Sequence, residues 1–466
     1  MEGREQKISY DNSRPNNKTA SCGYYGVQTY IGITENRFTE VQFTEGSLLE
    51  QILSPSNLNR AYKQVVGNKG SSGIDGMKTG DLLHWLRTHQ EDLLNSLYEG
   101  TYRPNPVRRV EIPKDNGKTR QLGIPTVVDR FIQQAISQIL TIIYDPAFSP
   151  CSFGFRPRRS AHQALFQAQS IIDSGYHYAV DIDLEKFFDT VNQSRLIELL
   201  SRRIKDCRVI SLIHQYLRAG VHVGTNYELS ESGVPQGSPL SPLLGNIMLD
   251  EMDKELERRG HPFVRYADDG LIFCRSARAA LRVQESISRF LENCLYLRVN
   301  AEKTHSGKVF GMKFLGYSFY LRKGECRLRV HPKSCEKMKK RLKELTGRSN
   351  GMGHAQRKSS LKLFIRGWIE YFKHADMKSF LTQTDEWLRR RLRMCIWKSW
   401  KNVKTRFKNL IKCGVSKHNA WMWSNTRKSY WHTSNSYILS TSITNNKLRA
   451  AGYVFLLDCY VKLHRK

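Results

Sequence analysis

The chain has 466 residues, which is too long for one compact core and suits two or three domains. Lys and Arg number 74 against 43 Asp and Glu, so the formal net charge is +31 and a polyanionic partner is expected. No apolar run approaches the roughly 20 residues that cross a bilayer, which argues against a membrane protein. The N-terminus has no signal-peptide segment and none of the ten cysteines forms a C-x-x-C pair, so we expect a cytoplasmic protein without a zinc knuckle.

The first part of the chain changes from polar sequence to mixed helix and strand patterns. Residues 1–45 are rich in Asn, Thr, Ser and Gly and show little periodicity, which predicts a poorly ordered extension. A helical pattern begins near Leu48. From the turn-rich segment 67–76 to about Gly316, short β-type runs alternate with amphipathic helices. This pattern predicts an α+β or α/β domain over residues 46–330.

An acidic strand is predicted within this domain. Residues 178–184 alternate between apolar and other side chains, which places Asp181 and Asp183 on the same face of a strand. Carboxylates in an otherwise apolar strand are costly unless a cation compensates them. Hard oxygen ligands of this kind suit Mg²⁺.

A second acidic element follows at residues 263–273, which read FVRYADDGLIF. Asp268 and Asp269 interrupt an apolar β-type run, as the turn of a β-hairpin does. An acidic strand and an acidic hairpin together favour a phosphoryl-transfer site, in which two Mg²⁺ ions stabilise the attacking and leaving oxygens. The alternative is that these acids are unrelated surface residues.

The composition changes again near residue 330, where we place a domain boundary. Residues 333–466 are helical in pattern and hold 31 Lys and Arg against seven Asp and Glu, together with seven of the eight tryptophans. Basic side chains beside aromatic rings are typical of nucleic-acid surfaces. We assign the tryptophans to the helical core and assign contact with RNA or primer–template to four arginines, Arg389, Arg390, Arg391 and Arg393.

The order of these blocks resembles one family. YADD resembles the catalytic box of reverse transcriptases, and DIDLEKFFDTV (181–191) resembles their first palm motif. The resemblance covers nearly the whole chain from about Leu48, with the family's blocks in the family's order. The further blocks are TYRPNPVRRVEIPKDNGKTRQLGIPTVVDRFIQQA (101–135), SFGFRPRRSAHQAL (152–165), GVPQGSPLSPLLGNIMLDEMDKEL (233–256), LRVNAEKT (297–304) and FLGYSF (314–319). Together they resemble group II intron-encoded reverse transcriptases and their close bacterial relatives.

The resemblance implies a right-hand polymerase of the α+β class. Fingers and palm lie within residues 46–330, and an all-helical, basic thumb and maturase-specific domain X occupy residues 331–466. Because the sequence stops at Lys466, the chain resembles the compact members that have no HNH endonuclease domain. The resemblance makes Asp183, Asp268 and Asp269 both the catalytic residues and the ligands of two Mg²⁺ ions.

Substrate contacts are also implied by the resemblance. Lys114 and Arg120 match residues that hold the incoming triphosphate, and charge-assisted bonds make such contacts strong. Lys303 matches a lysine near the leaving pyrophosphate, where it can serve as a general acid.

The remaining substrate residues concern the nascent base pair. Gln236 and Gly237 match the block that supports the template base and the new pair. Phe188 matches the steric gate that clashes with a nucleotide 2′-OH, which predicts use of dNTPs. The alternative for Phe188 is a core aromatic, as we expect for Phe187.

The function implied by the resemblance is RNA-directed DNA synthesis combined with maturase activity. Such a protein binds its group II intron RNA, assists splicing, and copies the RNA at a DNA target from a DNA primer and dNTPs. An RNA-binding splicing factor is one alternative, against which the intact aspartates argue. A domesticated relative in defence or repair is another, and the sequence does not separate it.

Overall fold

The computed structural model describes residues 47–113, 119–223, 226–228 and 232–464, so the predicted extension over residues 1–45 lies outside the described part. Within that part the chain forms two compact units. One comprises residues 47–315 and 319–327, and the other comprises residues 316–318 and 328–464. The predicted fold class is confirmed, since mixed helices and strands come first and helices follow.

The first unit contains ten helices and eight strands among its described residues, and a two-stranded sheet follows them. The helices are α1 (Leu48–Ile52), α2 (Pro55–Gly67), α3 (Leu82–Tyr98), α4 (Val127–Tyr144), α5 (Ala161–Asp173), α6 (Phe187–Thr190), α7 (Gln193–Ser201), α8 (Cys207–Arg218), α9 (Ser241–Arg258) and α10 (Ala277–Cys294). The strands are β1 (Val107–Pro113), β2 (Thr119–Ile124), β3 (Tyr178–Ile182), β4 (Val221–Val223), β5 (Asn226–Glu228), β6 (Phe263–Tyr266), β7 (Asp269–Cys274) and β8 (His305–Lys308). The two-stranded sheet is formed by β9 (Tyr317–Arg322) and β10 (Glu325–Val330), and the division between the units runs through it.

An antiparallel sheet of order β6-β7-β3-β8 forms the centre of the first unit. Its middle strand β3 is fully covered at Ala179 and Val180, which are both 0% exposed. Helix α10 packs against β3, β7 and β8. Its buried apolar residues, among them Ala280 and Ile287, recur at intervals of three and four residues. This spacing is typical of an amphipathic helix that packs on a sheet. This sheet carries the acidic elements.

A second sheet of order β2-β1-β4-β5 lies in the same unit. Strands β1 and β2 form an antiparallel hairpin, and β1 continues into a parallel pair with β4 through Val107 and Val221. Helix α4 begins immediately after β2. Its N-cap Thr126 accepts a hydrogen bond from the Asp129 backbone N–H, which fixes the direction in which the helix leaves the sheet.

The second unit is helical. Its elements are α11 (Pro332–Leu345), α12 (His354–Phe372), α13 (Lys378–Ser399), α14 (Val403–Lys412), α15 (Lys417–Ser424), α16 (Tyr430–Thr433), α17 (Tyr437–Ser442), α18 (Asn445–Ala450) and α19 (Leu456–His464). Trp368 and Trp397 are buried in its core, as predicted, but the prediction is wrong for Trp421, whose exposed fraction is 64%. Across the described residues, no helix combines the length and apolarity that crossing a membrane demands.

Candidate active site

Asp183 lies where strand β3 ends. Its backbone N–H donates to Thr304 Oγ1 at 3.1 Å, and its carbonyl accepts the Asn300 N–H at 2.9 Å. Leu184 continues the chain in a bridge with Val299. The backbone of Asp183 is therefore held from one side by the segment that precedes β8, while its side chain is partly open to solvent with an exposed fraction of 34%.

The second acidic element is a hairpin with a two-residue turn. Tyr266 of β6 pairs with Asp269 of β7, so the turn consists of Ala267 and Asp268. The prediction placed both aspartates at the turn, whereas Asp269 opens strand β7. Ala267 has φ of +58°, a left-handed conformation that costs an L-residue about 1–2 kcal/mol. A non-glycine residue in this conformation needs support from its surroundings.

The register of the sheet brings the two acidic elements together at one end of the inner strands β3 and β7. Ile182 pairs with Gly270, so Asp183 follows the end of β3 level with the start of β7. Asp181 pairs with Leu271 one step further into the sheet. The Cα atoms of residues that face each other on adjacent strands lie only about 5 Å apart, so these carboxylates share one electrostatic environment.

Burial and mutual repulsion perturb these carboxylates. Burial, followed by the charges of Asp268, Asp181 and Asp183, raises the pKa of Asp269 to about 7. Burial also raises the pKa of Asp181 to about 6 and shifts the pKa of Asp268 upward. The side chains of Asp268 and Asp269 reach solvent, but protein atoms surround them closely enough to reduce their hydration. Carboxylates that raise one another's pKa form a site with affinity for cations.

Basic side chains partly balance this negative charge. Lys303 Nζ lies 2.9 Å from Asp183 Oδ2 in an exposed ion pair. His305 Nδ1 lies 4.0 Å from Asp181 Oδ2. Arg120 opposes the upward shift in the pKa of Asp268, so its guanidinium acts on the same cluster.

The donor set fits Mg²⁺ in chemistry, because it consists of hard carboxylate oxygens with raised proton affinity. The geometry is less complete. In the part of the chain that the structure describes, no three His, Cys, Asp or Glu side chains are arranged closely enough to hold a metal ion. Asp183 is instead turned towards Lys303.

Two of the predicted substrate residues contact each other. Arg120 Nε donates to Gln236 Oε1 at 2.8 Å, and the Gln236 carbonyl accepts the Gly123 N–H at 2.7 Å. Gly237 has φ of +117°, and a Cβ there would lie 2.8 Å from the Gly123 carbonyl oxygen. Only glycine therefore fits where this loop meets β2. Lys114, the other predicted phosphate contact, lies outside the described residues.

Phe188 lies in the short helix α6, five residues after Asp183. Phe187 is buried, as predicted, and its ring packs edge-on against that of Phe188 at 5.0 Å between centroids. Phe188 itself is half-buried, and its carbonyl accepts the Val234 N–H at 2.6 Å. One edge of the ring thus rests on the core while part of it remains accessible.

The four C-terminal arginines are half-buried and make contacts within the helical unit. Arg390 lies over the Trp431 ring at 3.7 Å and Arg391 Nε donates to Thr346 Oγ1 at 2.6 Å. These contacts connect α13 to its neighbours. The other two behave similarly: Arg393 Nε donates to the Ile443 carbonyl at 2.9 Å, and Arg389 lies over the Phe455 ring. Their contact with nucleic acid stays a prediction. Arg391 and Arg393 each donate at least two hydrogen bonds inside the protein, whereas the Nε atoms of Arg389 and Arg390 have no hydrogen-bond partner among the described residues.

Two residues that support the site were not predicted from the sequence. Arg265 in β6 is 1% exposed and pairs with the fully buried Asp253 of α9. A charged residue between Val264 and Tyr266 in an apolar strand was a usable signal, because such a residue needs a buried partner. Thr304, which contacts Asp183, offered no signal of this kind.

Comparison with known proteins identifies both units. Residues 112–319 match the family "Reverse transcriptase (RNA-dependent DNA polymerase)", and residues 335–414 match "Group II intron, maturase-specific domain". The chain is 33% identical over 312 residues to Protein YkfC of Escherichia coli, an alignment that covers 58% of this chain and 82% of YkfC. It is 30% identical over 359 residues to the group II intron-encoded protein LtrA of Lactococcus lactis, which covers 62% of this chain and 59% of LtrA.

Among solved structures, a partial Cas6-RT-Cas1–Cas2 complex matches 55% of this chain and 43% of that chain, with 27% identity and a TM-score of 0.35. The domain matches and the sequence relatives carry the assignment. The chain belongs to the family of group II intron-encoded reverse transcriptases with a maturase-specific domain.

Proposed function

We propose that the protein is an active RNA-directed DNA polymerase whose site is formed by Asp183, Asp268 and Asp269. The observation that carries this proposal is the convergence of the end of β3 with the β6–β7 turn. It gathers carboxylates whose pKa values are raised first by burial and then further by their mutual repulsion. A bound cation would compensate this negative charge.

In the proposed reaction the primer 3′-hydroxyl loses its proton to solvent and its oxygen attacks the α-phosphorus of a dNTP. A bond forms between that oxygen and the α-phosphorus, the bond from the α-phosphorus to the oxygen that bridges to the β-phosphorus breaks, and pyrophosphate leaves. Two Mg²⁺ ions held by the three aspartates would neutralise charge on the attacking and leaving oxygens. This coordination requires Asp183 to leave its ion pair with Lys303.

Lys303 and Arg120 act on the triphosphate in this proposal. Lys303 is exposed and lies 2.9 Å from a proposed metal ligand, so its ammonium can approach the pyrophosphate and donate a proton to it. Arg120 is already oriented by Gln236 and offers its remaining N–H groups to phosphate oxygens. Lys114 is proposed to share this role on the resemblance alone.

Phe188 is proposed to exclude ribonucleotides, and Gln236 with Gly237 to support the nascent pair. The close backbone approach at Gly237 fixes this loop against β2. The RNA template, DNA primer and dNTPs are the proposed substrates. The same proposal places a domain boundary near residue 330, with fingers and palm before it and thumb and domain X after it. It also includes a cytoplasmic location.

We further propose that the protein binds a group II intron RNA, assists its splicing and copies it at a DNA target. The match of residues 335–414 to the maturase-specific domain supports this second function. The charge of the helical region supports it too, because residues 333–466 contain 31 Lys and Arg but only seven Asp and Glu. Phosphates are the natural partners of such an excess.

The test is primer extension on an RNA template with dNTPs and Mg²⁺. The Asp268→Asn/Asp269→Asn double variant should abolish extension. Glu285→Gln serves as a control for the loss of a surface carboxylate, because Glu285 is 71% exposed and forms an ion pair with Arg289 at 3.5 Å. Extension that persists in the double variant would overturn the assigned site. If the folded wild type binds RNA yet never extends a primer, the splicing-factor alternative replaces the polymerase.

A further inference from the structure

The β6–β7 turn is held from inside the protein by one buried arginine. Arg265 Nη1 donates to the Ala267 carbonyl at 2.9 Å, and Ala267 immediately precedes Asp268. The same nitrogen donates to Asn246 Oδ1 at 2.9 Å. The acceptor on the turn is thus part of the peptide that connects Ala267 to a proposed metal ligand.

The arginine is itself fixed in place. Arg265 Nε donates to Asp253 Oδ1 at 2.8 Å and Nη2 donates to Asp253 Oδ2 at 2.5 Å, and the two side chains are 1% and 0% exposed. Such a fork on a carboxylate fixes the plane of the guanidinium. The direction of Nη1, and hence the position of the Ala267 carbonyl, is therefore determined by helix α9.

A second set of contacts holds the same turn from the loop before α5. Arg265 N donates to the Cys151 carbonyl at 2.9 Å, and Asn246 Nδ2 donates to the Gly154 carbonyl at 2.9 Å. A Cβ at Gly154 would lie only 2.1 Å from Ala267 N, so this loop packs directly on the turn. Its contact and the bond from Arg265 together explain how Ala267 keeps its left-handed conformation.

We infer that Arg265 is a positioning residue, which through the Ala267 carbonyl sets the orientation of Asp268 and so the strength with which the site binds divalent cations. This inference rests on the proposed polymerase function. Arg265 would orient a metal ligand through hydrogen bonds without itself touching the metal. Loss of such groups typically lowers metal affinity or activity by about 10- to 100-fold.

The test compares Arg265→Lys with the wild type. Lysine keeps the charge opposite Asp253 but has no planar fork, so it cannot hold Asp253 and the Ala267 carbonyl in the same geometry. Two readouts are needed: the Mg²⁺ concentration that gives half-maximal primer extension, and Mn²⁺ binding to the protein–primer–template complex followed by electron paramagnetic resonance. In the variant, the half-maximal Mg²⁺ concentration should rise, and the affinity for Mn²⁺ should fall, each by at least about tenfold. The KM for dNTP at saturating Mg²⁺ should change less.

Arg208→Lys is the matched control. Arg208 Nε and Nη2 donate to the nearly buried Asp206 carboxylate at 3.1 and 2.9 Å, and Nη1 donates to Glu50 Oε1 at 2.7 Å. It makes the same kind of fork as Arg265, but its contacts join α8 to α1 rather than to the hairpin turn. Its loss should lower thermal stability and leave the Mg²⁺ and Mn²⁺ dependence unchanged.

Asp253→Asn keeps the inference testable if Arg265→Lys does not fold. This variant keeps Arg265 and the size of its partner but removes the carboxylate that fixes the plane of the guanidinium and so the direction of Nη1 towards the Ala267 carbonyl. Folded variants with wild-type Mn²⁺ binding would overturn the inference and leave Arg265 as a core residue only. A wild type that binds Mn²⁺ but extends no primer would refute the proposed polymerase, while the Mn²⁺ comparison would still decide the role of Arg265.

Discussion

Lowering the pH from 8 to 6 should weaken the binding of Mg²⁺ at the site, so that primer extension needs a higher Mg²⁺ concentration. With a pKa of about 7, Asp269 is about nine-tenths protonated at pH 6 and about one-tenth protonated at pH 8. A metal ion binds the deprotonated carboxylate, so protons compete with it. The Mg²⁺ concentration for half-maximal primer extension should therefore rise about tenfold between pH 8 and pH 6.

The assay is a Mg²⁺ titration of primer-extension rate at several pH values, with template and dNTP saturating. Excess Mg²⁺ should restore the rate at pH 6. Asp181→Asn removes one of the charges that raise the pKa of Asp269, so the midpoint of the pH dependence should move to lower pH in this variant. A half-saturating Mg²⁺ concentration that is the same at pH 6 and pH 8 would refute the reasoning.

The same shift predicts the sign of a stability change. The folded pKa of Asp269 is raised above its ordinary value of 3.8, so the folded chain binds an extra proton between about pH 4 and pH 7. The free energy of unfolding, measured with urea in the presence of a chelator, should therefore receive its full contribution from this group below about pH 4. That contribution should be lost as the pH rises to about 7. Added Mg²⁺ should oppose the loss at the upper end of this range.

Three substitutions give further expected outcomes. Phe188→Val should raise rNTP incorporation relative to dNTP by about tenfold or more, measured by single-nucleotide extension; unchanged selectivity would leave Phe188 as a core aromatic. Asp206→Ala removes a nearly buried carboxylate that accepts the Leu49 N–H at 3.1 Å, and should lower the free energy of unfolding in urea by about 1–3 kcal/mol. A decrease as small as that caused by Glu198→Gln, at an exposed carboxylate, would contradict this expectation. Arg393→Gln should lower stability by about 1–2 kcal/mol through the lost hydrogen bond to the Ile443 carbonyl. Because Arg393 is predicted to contact a phosphate, the same variant should also reduce the slope of log affinity for RNA against log salt by about 1, and an unchanged slope would refute that contact.

Much of the architecture was predictable because it depends on local pattern. The alternation that placed Asp181 and Asp183 on one face, and the apolar runs on either side of Asp268, specify a strand and a hairpin without tertiary information. The exact turn was not predictable. Whether Asp269 belongs to the turn or to β7 depends on the left-handed conformation of Ala267, which distant contacts support.

The helical unit shows where sequence patterns are insufficient. Arginines beside tryptophans are equally compatible with a surface that binds phosphates and with a core boundary where guanidinium groups lie over rings. Arg390 over the Trp431 ring belongs to the second kind, and this contact joins residues 41 positions apart in the chain. Trp421 is exposed although its neighbours Ala420 and Ser424 are buried, which a composition argument could not distinguish.

The position of β3 in the middle of its sheet has a consequence for how the protein is made. Its neighbour β7 ends at Cys274 and its other neighbour β8 ends at Lys308, well after β3 itself ends at Ile182. At ribosomal rates of about 5–20 residues per second, both edges of β3 remain without their partners for several seconds during synthesis. The acidic edge of the sheet therefore forms late, and an apolar nascent strand must be kept from pairing with other chains until β8 has emerged.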